Sequence, residues 1–189
     1  ETTAVGKIYH KGSCSPGHDG KSWSMPHQLP KNYDPKYGDA ALEYYQDPDT
    51  KKKLIALEEE AKAKGIKKNG KIRSYVFKRL KPSTENADVS DTAYQDGLYT
   101  QTALQQLSDL ENSGKPWFLG VGYQKPHLPF IAPKKYWDLY DRDKIELAKF
   151  QELGDGTPKF AYHSFGELRA FSDIDDDLNI GDKLPEAKQ

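Results

Sequence analysis

Apolar residues are sparse along this chain and fall in short clusters between long polar stretches. The densest is Trp117-Phe118-Leu119-Gly120-Val121-Gly122-Tyr123. A continuous apolar run of this length, with aromatics and two glycines, predicts a strand buried on both faces. It stops at Lys125-Pro126-His127-Leu128-Pro129-Phe130, where the two prolines cannot donate ladder hydrogen bonds and the sheet must end. A second β-prone stretch, Thr3-Ala4-Val5, opens the chain and runs into Gly6 and Lys7. Between the two, Tyr94, Leu98, Ala103, Leu104, Leu107 and Leu110 recur near helical spacing and predict a helix over 88–112, stopped by Ser113-Gly114. Gly97 inside that pattern costs up to about 1 kcal/mol relative to Ala, so close packing is expected there. A helix followed by a continuous apolar strand is the pattern of a layered α/β sheet. The strands ending at Lys7 and Tyr123 are therefore expected side by side and parallel, with the 88–112 helix on one face as part of the crossover.

The remaining pattern is more polar. Residues 50–64 predict a surface helix, capped by Thr50, with Leu54, Ile55 and Leu57 as its apolar face and Gly65 as its stop. Asn69-Gly70 is a hairpin turn signal and predicts a strand over 71–78. Pro133–Tyr140 predicts a short helix with proline in its first turn. Residues 11–49 are broken by Pro16, Pro26, Pro30 and Pro35 and read as a long loop, either a lid or a surface segment, anchored by Trp23, Met25, Tyr33 and Tyr37. The acidic run that starts at Asp173 invites a calcium-loop reading, but Leu178 and Leu184 occupy the positions that need Gly and Glu, so an acidic solvated turn is expected.

Composition narrows the picture. At 189 residues the chain is long enough for one modest domain. Its hydrophobic fraction is 35% and its mean hydropathy −0.90, polar for a self-contained globule. Aromatics at 12% supply buried area and argue against disorder. The net charge of −1 gives no electrostatic case for nucleic acid or an anionic membrane surface. No apolar run approaches membrane-spanning length. Cys14 is the sole cysteine, which excludes an internal disulfide framework and a Cys-rich zinc site. His18 and His27 have no partner at metal-ligand spacing. The chain has no initiator Met and enters a strand almost at once, so residue 1 reads as an interruption of a longer protein.

The candidate chemistry sits where the strands end. Lys125 and His127 lie where an apolar strand opens into a loop, the place where open α/β sheets bind ligands. A lone histidine in a proline-rich turn is ordinarily a packed residue bonded to a carbonyl. Here the arrangement occurs twice, because Gly6-Lys7-Ile8-Tyr9-His10 places a Lys and a His after the first strand as well.

The elements VGKIYHKG and PWFLGVGYQKPHLPF, in that order and with Asp96-Gly97 on a helix between them, resemble the sulfatase family. The resemblance is loose over 28–85 and 142–189. It implies an α/β fold, part of an alkaline-phosphatase-like layered domain with a central, mostly parallel sheet. Residues 1–189 would be a partial catalytic domain, and 38–82 a family-variable insert. It further implies hydrolysis of sulfate monoesters, with sulfated carbohydrates as substrates and a periplasmic, extracellular or lysosomal location. A formylglycine nucleophile and a calcium ion, with its metal ligands, would lie outside this stretch, and the stretch alone would be inactive. By matching positions, Lys7 would contact the sulfate and the nucleophile. His10 would hydrogen-bond the nucleophile. His127 would contact the sulfate or the leaving oxygen as general acid, and Lys125 would assist in substrate binding. Cys14 shares C-x-P with the formylglycine motif, but His18 stands where that motif needs Arg, and the order is wrong. Two other readings stay open: a phosphodiesterase or phosphonate hydrolase of the same superfamily, and a non-catalytic carbohydrate-binding piece whose aromatic loops (Trp23, Tyr33, Tyr37, Tyr44, Tyr45) would stack on sugars.

Overall fold

The computed structural model describes residues 1–9, 21–28, 30, 45–150, 154–161 and 165–174. The contacts divide the chain into two units, one of Glu1–Tyr37 with Val89–His127 and one of Gly38–Asp88 with Leu128–Gln189.

In the first unit, β1 (Thr2–Gly6) pairs in parallel with β3 (Phe118–Gly122), with Thr2 opposite Phe118 and Gly6 opposite Gly122. Helix α3 (Gln95–Glu111) packs on one face, where Tyr99 and Ala103 meet Val5 and Leu119. The expected sheet and its covering helix are therefore present. On its other side β1 is flanked by the segment after Trp23: Met25 N–H donates to Thr2 O at 3.0 Å and Gln28 N–H to Ala4 O at 2.8 Å. Thr3 Oγ1 donates to Pro26 O at 2.9 Å and ties the same segment down. β1 is thus the inner strand, and Thr3 to Gly6 are buried.

β3 differs from expectation. It is not buried on both faces, since Phe118 is 59% and Val121 38% exposed. Trp23 stacks on Phe118 with ring centroids 6.3 Å apart, which shields one side only in part. An apolar run records affinity for cover, and among the described residues the cover on β3 is incomplete. Helix α3 also starts later than its periodicity suggested, after a 3-10 turn at Asp91–Ala93, and its buried face runs through Gln95, Tyr99, Ala103 and Leu110. Leu104, counted as core from spacing, is exposed.

The two strands are bound together at their carboxyl ends by glycines. Gly6 has φ +77°, a left-handed conformation. A Cβ on Gly6 would lie 2.1 Å from Gly122 O, and one on Gly122 would lie 2.0 Å from Lys7 O. Lys7 N–H donates to Gly122 O at 2.8 Å, so the chains stay in contact one residue past β1. Gly122→Ala is expected to destabilise the protein by about 1–3 kcal/mol through overpacking. Urea unfolding would show this as a lower midpoint, whereas an unchanged midpoint would refute the close approach.

In the second unit, α1 (Pro48–Ala63) packs against α2 (Asn69–Phe77) through Leu54, Ala61, Ile72 and Val76. α1 is capped by Asp47, whose carboxylate accepts the Thr50 N–H at 2.8 Å, so Thr50 lies inside the helix and is not its cap. Residues 71–78 form most of α2 and not a strand. The Asn69-Gly70 turn signal is overridden because Ile72 and Val76, four apart, share one buried helical face. A short parallel pair joins β2 (Thr84–Glu85) to β4 (Phe130–Ile131). Helix α4 (Lys134–Trp137) follows Pro133 and is shorter than expected. Asp173 is not a solvated acid. Its carboxylate accepts the Ser83 N–H at 2.9 Å and the Ser83 hydroxyl at 2.8 Å, clipping this later segment onto the residue just before β2. The rest of the acidic run lies outside the described residues, as do Tyr33, Tyr37, Tyr44, Cys14 and His18. No helix among the described residues is long and apolar enough to cross a membrane.

Candidate active site

The carboxyl ends of β1 and β3 place Lys7 and Lys125 on neighbouring chain segments of the first unit. Lys7 leaves β1 immediately after the Gly6 turn and is half-buried. Lys125 leaves β3 after Tyr123 and Gln124 and is also half-buried. The Lys7 charge acts on Lys125. Burial pushes the Lys125 pKa below the usual lysine value; the Asp96 carboxylate draws it back up and the Lys7 charge pushes it down again. A lysine with a depressed pKa holds its proton less tightly in the folded protein than in the unfolded chain. This group therefore opposes folding while it is charged, and that opposition fades as pH rises from the depressed pKa towards the ordinary one.

His127 sits in the turn beyond. Its N–H donates to Gln124 O at 2.9 Å, and its carbonyl accepts from Lys125 Nζ at 3.0 Å. The peptide bonds before Pro126 and Pro129 are cis. His127 is exposed. Lys125 thus braces the turn through its Nζ while its backbone forms the start of the loop. His10, the fourth residue singled out from sequence, lies outside the described residues.

One residue of the site was visible in the sequence only as a helix marker. Asp96, in the first turn of α3, accepts the Gln124 N–H on Oδ1 at 2.8 Å and the Lys125 N–H on Oδ2 at 3.0 Å. These two backbone donors lie just past the end of β3, where no ladder partner is left for them. The turn that precedes the helix can fold back onto it because position 97 is glycine. A Cβ there would lie 1.7 Å from Asp91 O, so the Asp91–Ala93 turn crosses directly over it. The packing inferred from Gly97 is therefore backbone on backbone. Tyr123 adds a hydroxyl contact to Thr100 Oγ1 on the same helix at 3.1 Å.

Among the described residues no three His, Cys, Asp or Glu side chains group to hold a metal ion. These residues therefore do not fit a calcium site, and what they offer is cations and an imidazole.

The fold and the position of these groups define an α/β protein with lysines gathered at the carboxyl ends of a parallel pair. No family model matches the chain. It is 30% identical over 175 residues to iduronate 2-sulfatase of Homo sapiens, an alignment covering 92% of this chain and 27% of the relative. It is 34% identical over 71 residues to a sulfatase of Formosa agariphila, covering 36% of this chain and 14% of that protein. It is 35% identical over 65 residues to the multifunctional alkaline phosphatase superfamily protein PehA of Trinickia caryophylli, covering 34% of this chain and 12% of that protein. The chain is thus similar over nearly all its residues to a sulfatase, and over about a third of them to a protein of the alkaline phosphatase superfamily. It spans about a quarter of the length of the iduronate 2-sulfatases that it matches over nearly all its residues.

Proposed function

We propose that this chain supplies the anion-binding and proton-donating side of an enzyme that hydrolyses sulfate monoesters, with sulfated carbohydrates as the substrate class. The observation that carries the proposal is that Lys7 and Lys125 follow the paired ends of β1 and β3, which Lys7 N–H to Gly122 O holds together, with the Lys7 charge acting to lower the Lys125 pKa. Two cations at neighbouring strand ends repel each other, and a bound sulfuryl group relieves that repulsion. The sulfatase relatives support the choice of sulfur over other anions.

In this reading Lys7 and Lys125 neutralise the sulfuryl oxygens as charge builds there. The bond between sulfur and the ester oxygen breaks, the sulfuryl group passes to the nucleophile, and His127 gives its proton to the departing oxygen. His10 completes the site by hydrogen-bonding the nucleophile. A formylglycine nucleophile and a calcium ion belong to the same proposal and would be supplied from outside the described residues, as would a periplasmic, extracellular or lysosomal setting.

Phosphoryl oxygens would also suit two lysines, and PehA shows that a relative carries the name of a multifunctional superfamily protein. The test is therefore comparative. The intact protein that carries this chain, assayed on matched sulfate and phosphate monoesters and on phosphodiesters, is expected to turn over the sulfate ester fastest. Preference for a phosphate ester or diester would replace the sulfatase reading with the other superfamily chemistry. Absence of turnover, together with retention on a glycan array, would favour a carbohydrate-binding piece.

A further inference from the structure

We propose that Asp96 is a positioning residue. By accepting the N–H groups of both Gln124 and Lys125 from the first turn of α3, it fixes where Lys125 stands and where the turn bearing His127 begins. The inference rests on the reading of Lys125 as an anion-binding group.

Three observations combine. The carboxylate uses one oxygen for each N–H, so the grip sets both position and orientation. The helix that carries Asp96 is seated on β1 and β3 through Tyr99 and Ala103, and it is brought close to the preceding turn by Gly97, so the carboxylate is mounted on a packed element. Finally, the loop it holds carries its own brace, Lys125 Nζ to His127 O, which depends on Lys125 being placed first.

The carboxylate also has an electrostatic effect. Lys125 is faced by Lys7 from the end of β1, by Asp96 from α3 and, in its own loop, by the carbonyl of His127. Asp96 is the anion in that set and opposes both burial and Lys7 in setting the Lys125 charge. Asp96→Asn keeps the shape and one acceptor but removes the charge. Its expected consequence is a lower Lys125 pKa, because burial and Lys7 then act unopposed.

The experiment is competitive acylation of lysines in the intact protein across pH, with the modification at Lys125 read by mass spectrometry. In Asp96→Asn the midpoint for Lys125 is expected at lower pH than in the parent, while lysines of the second unit, such as Lys52 and Lys71, keep theirs. The alkaline limb of kcat/KM for sulfate-ester turnover should move to lower pH by the same amount, and turnover at neutral pH should fall by about 10²-fold from misplacement of the loop. If Asp96→Asn does not fold, Asp96→Ser, which keeps a hydroxyl acceptor at a helix N-terminus, takes its place. An unchanged or raised Lys125 midpoint in a folded variant would overturn the proposal. The labelling needs no turnover, so a lowered midpoint in an inactive protein would leave Asp96 in its role and count against the sulfatase reading alone.

Discussion

Replacing His127 with alanine is expected to slow hydrolysis of alkyl sulfate esters by about 10²–10⁴-fold, the usual contribution of a positioned general acid. Aryl sulfates should lose less than about tenfold, because a phenoxide leaves without much help while an alkoxide needs its proton in the transition state. The difference between the two ester classes is what assigns the role. His127 stands in an exposed turn two residues beyond Lys125, held by its N–H to Gln124 O and by Lys125 Nζ on its own carbonyl. Substitution at the side chain leaves both of those backbone bonds in place, so the loop should survive. Equal losses for both classes would remove His127 as general acid and leave it as a sulfate contact.

Replacing Lys7 with alanine should act on both ester classes alike. It is assigned to the sulfuryl oxygens, which the two classes share, and loss of one such donor ordinarily costs about 10²–10³-fold in kcat. A second consequence follows from the geometry. Without the Lys7 charge, Lys125 loses a group that depresses its pKa, so its midpoint should rise, opposite in sign to the effect of Asp96→Asn. The backbone of Lys7 remains bonded to Gly122 O, so the strand ends should hold together. Kinetics that distinguish ester classes in the Lys7 variant would contradict the assignment.

The parts of this account that were legible in the sequence are those governed by local pattern. The β1–β3 pair and the helix across it could be read because an apolar strand, a helical period and a glycine stop lie within a short span ending at Tyr123. The strand expected over 71–78 failed because β-prone residues and an Asn-Gly pair are weak signals beside the burial of Ile72 and Val76 against α1. The depth of β3 was overestimated because sequence records how apolar a run is and not what covers it; Phe118 and Val121 are partly open.

At the candidate site, Lys7, Lys125 and His127 were visible as residue types at strand ends. The effect of the Lys7 charge on Lys125 was not, since it depends on a register between segments far apart in sequence. Asp96 shows the same limit. It could be noted beside Gly97, but its two bonds span 28 and 29 residues, and no periodicity reports a bond of that range. The role of Asp173 as a clip on Ser83 was hidden for the same reason, at a separation of 90 residues.

The most direct test of the central claim is a crystal structure of the intact protein with sulfate bound. The account expects a tetrahedral anion at the ends of β1 and β3, within hydrogen-bond distance of Lys7 Nζ and Lys125 Nζ and with His127 facing it. Sulfate bound elsewhere in a catalytically competent protein, with the Lys7 and Lys125 ammonium groups turned apart, would contradict it.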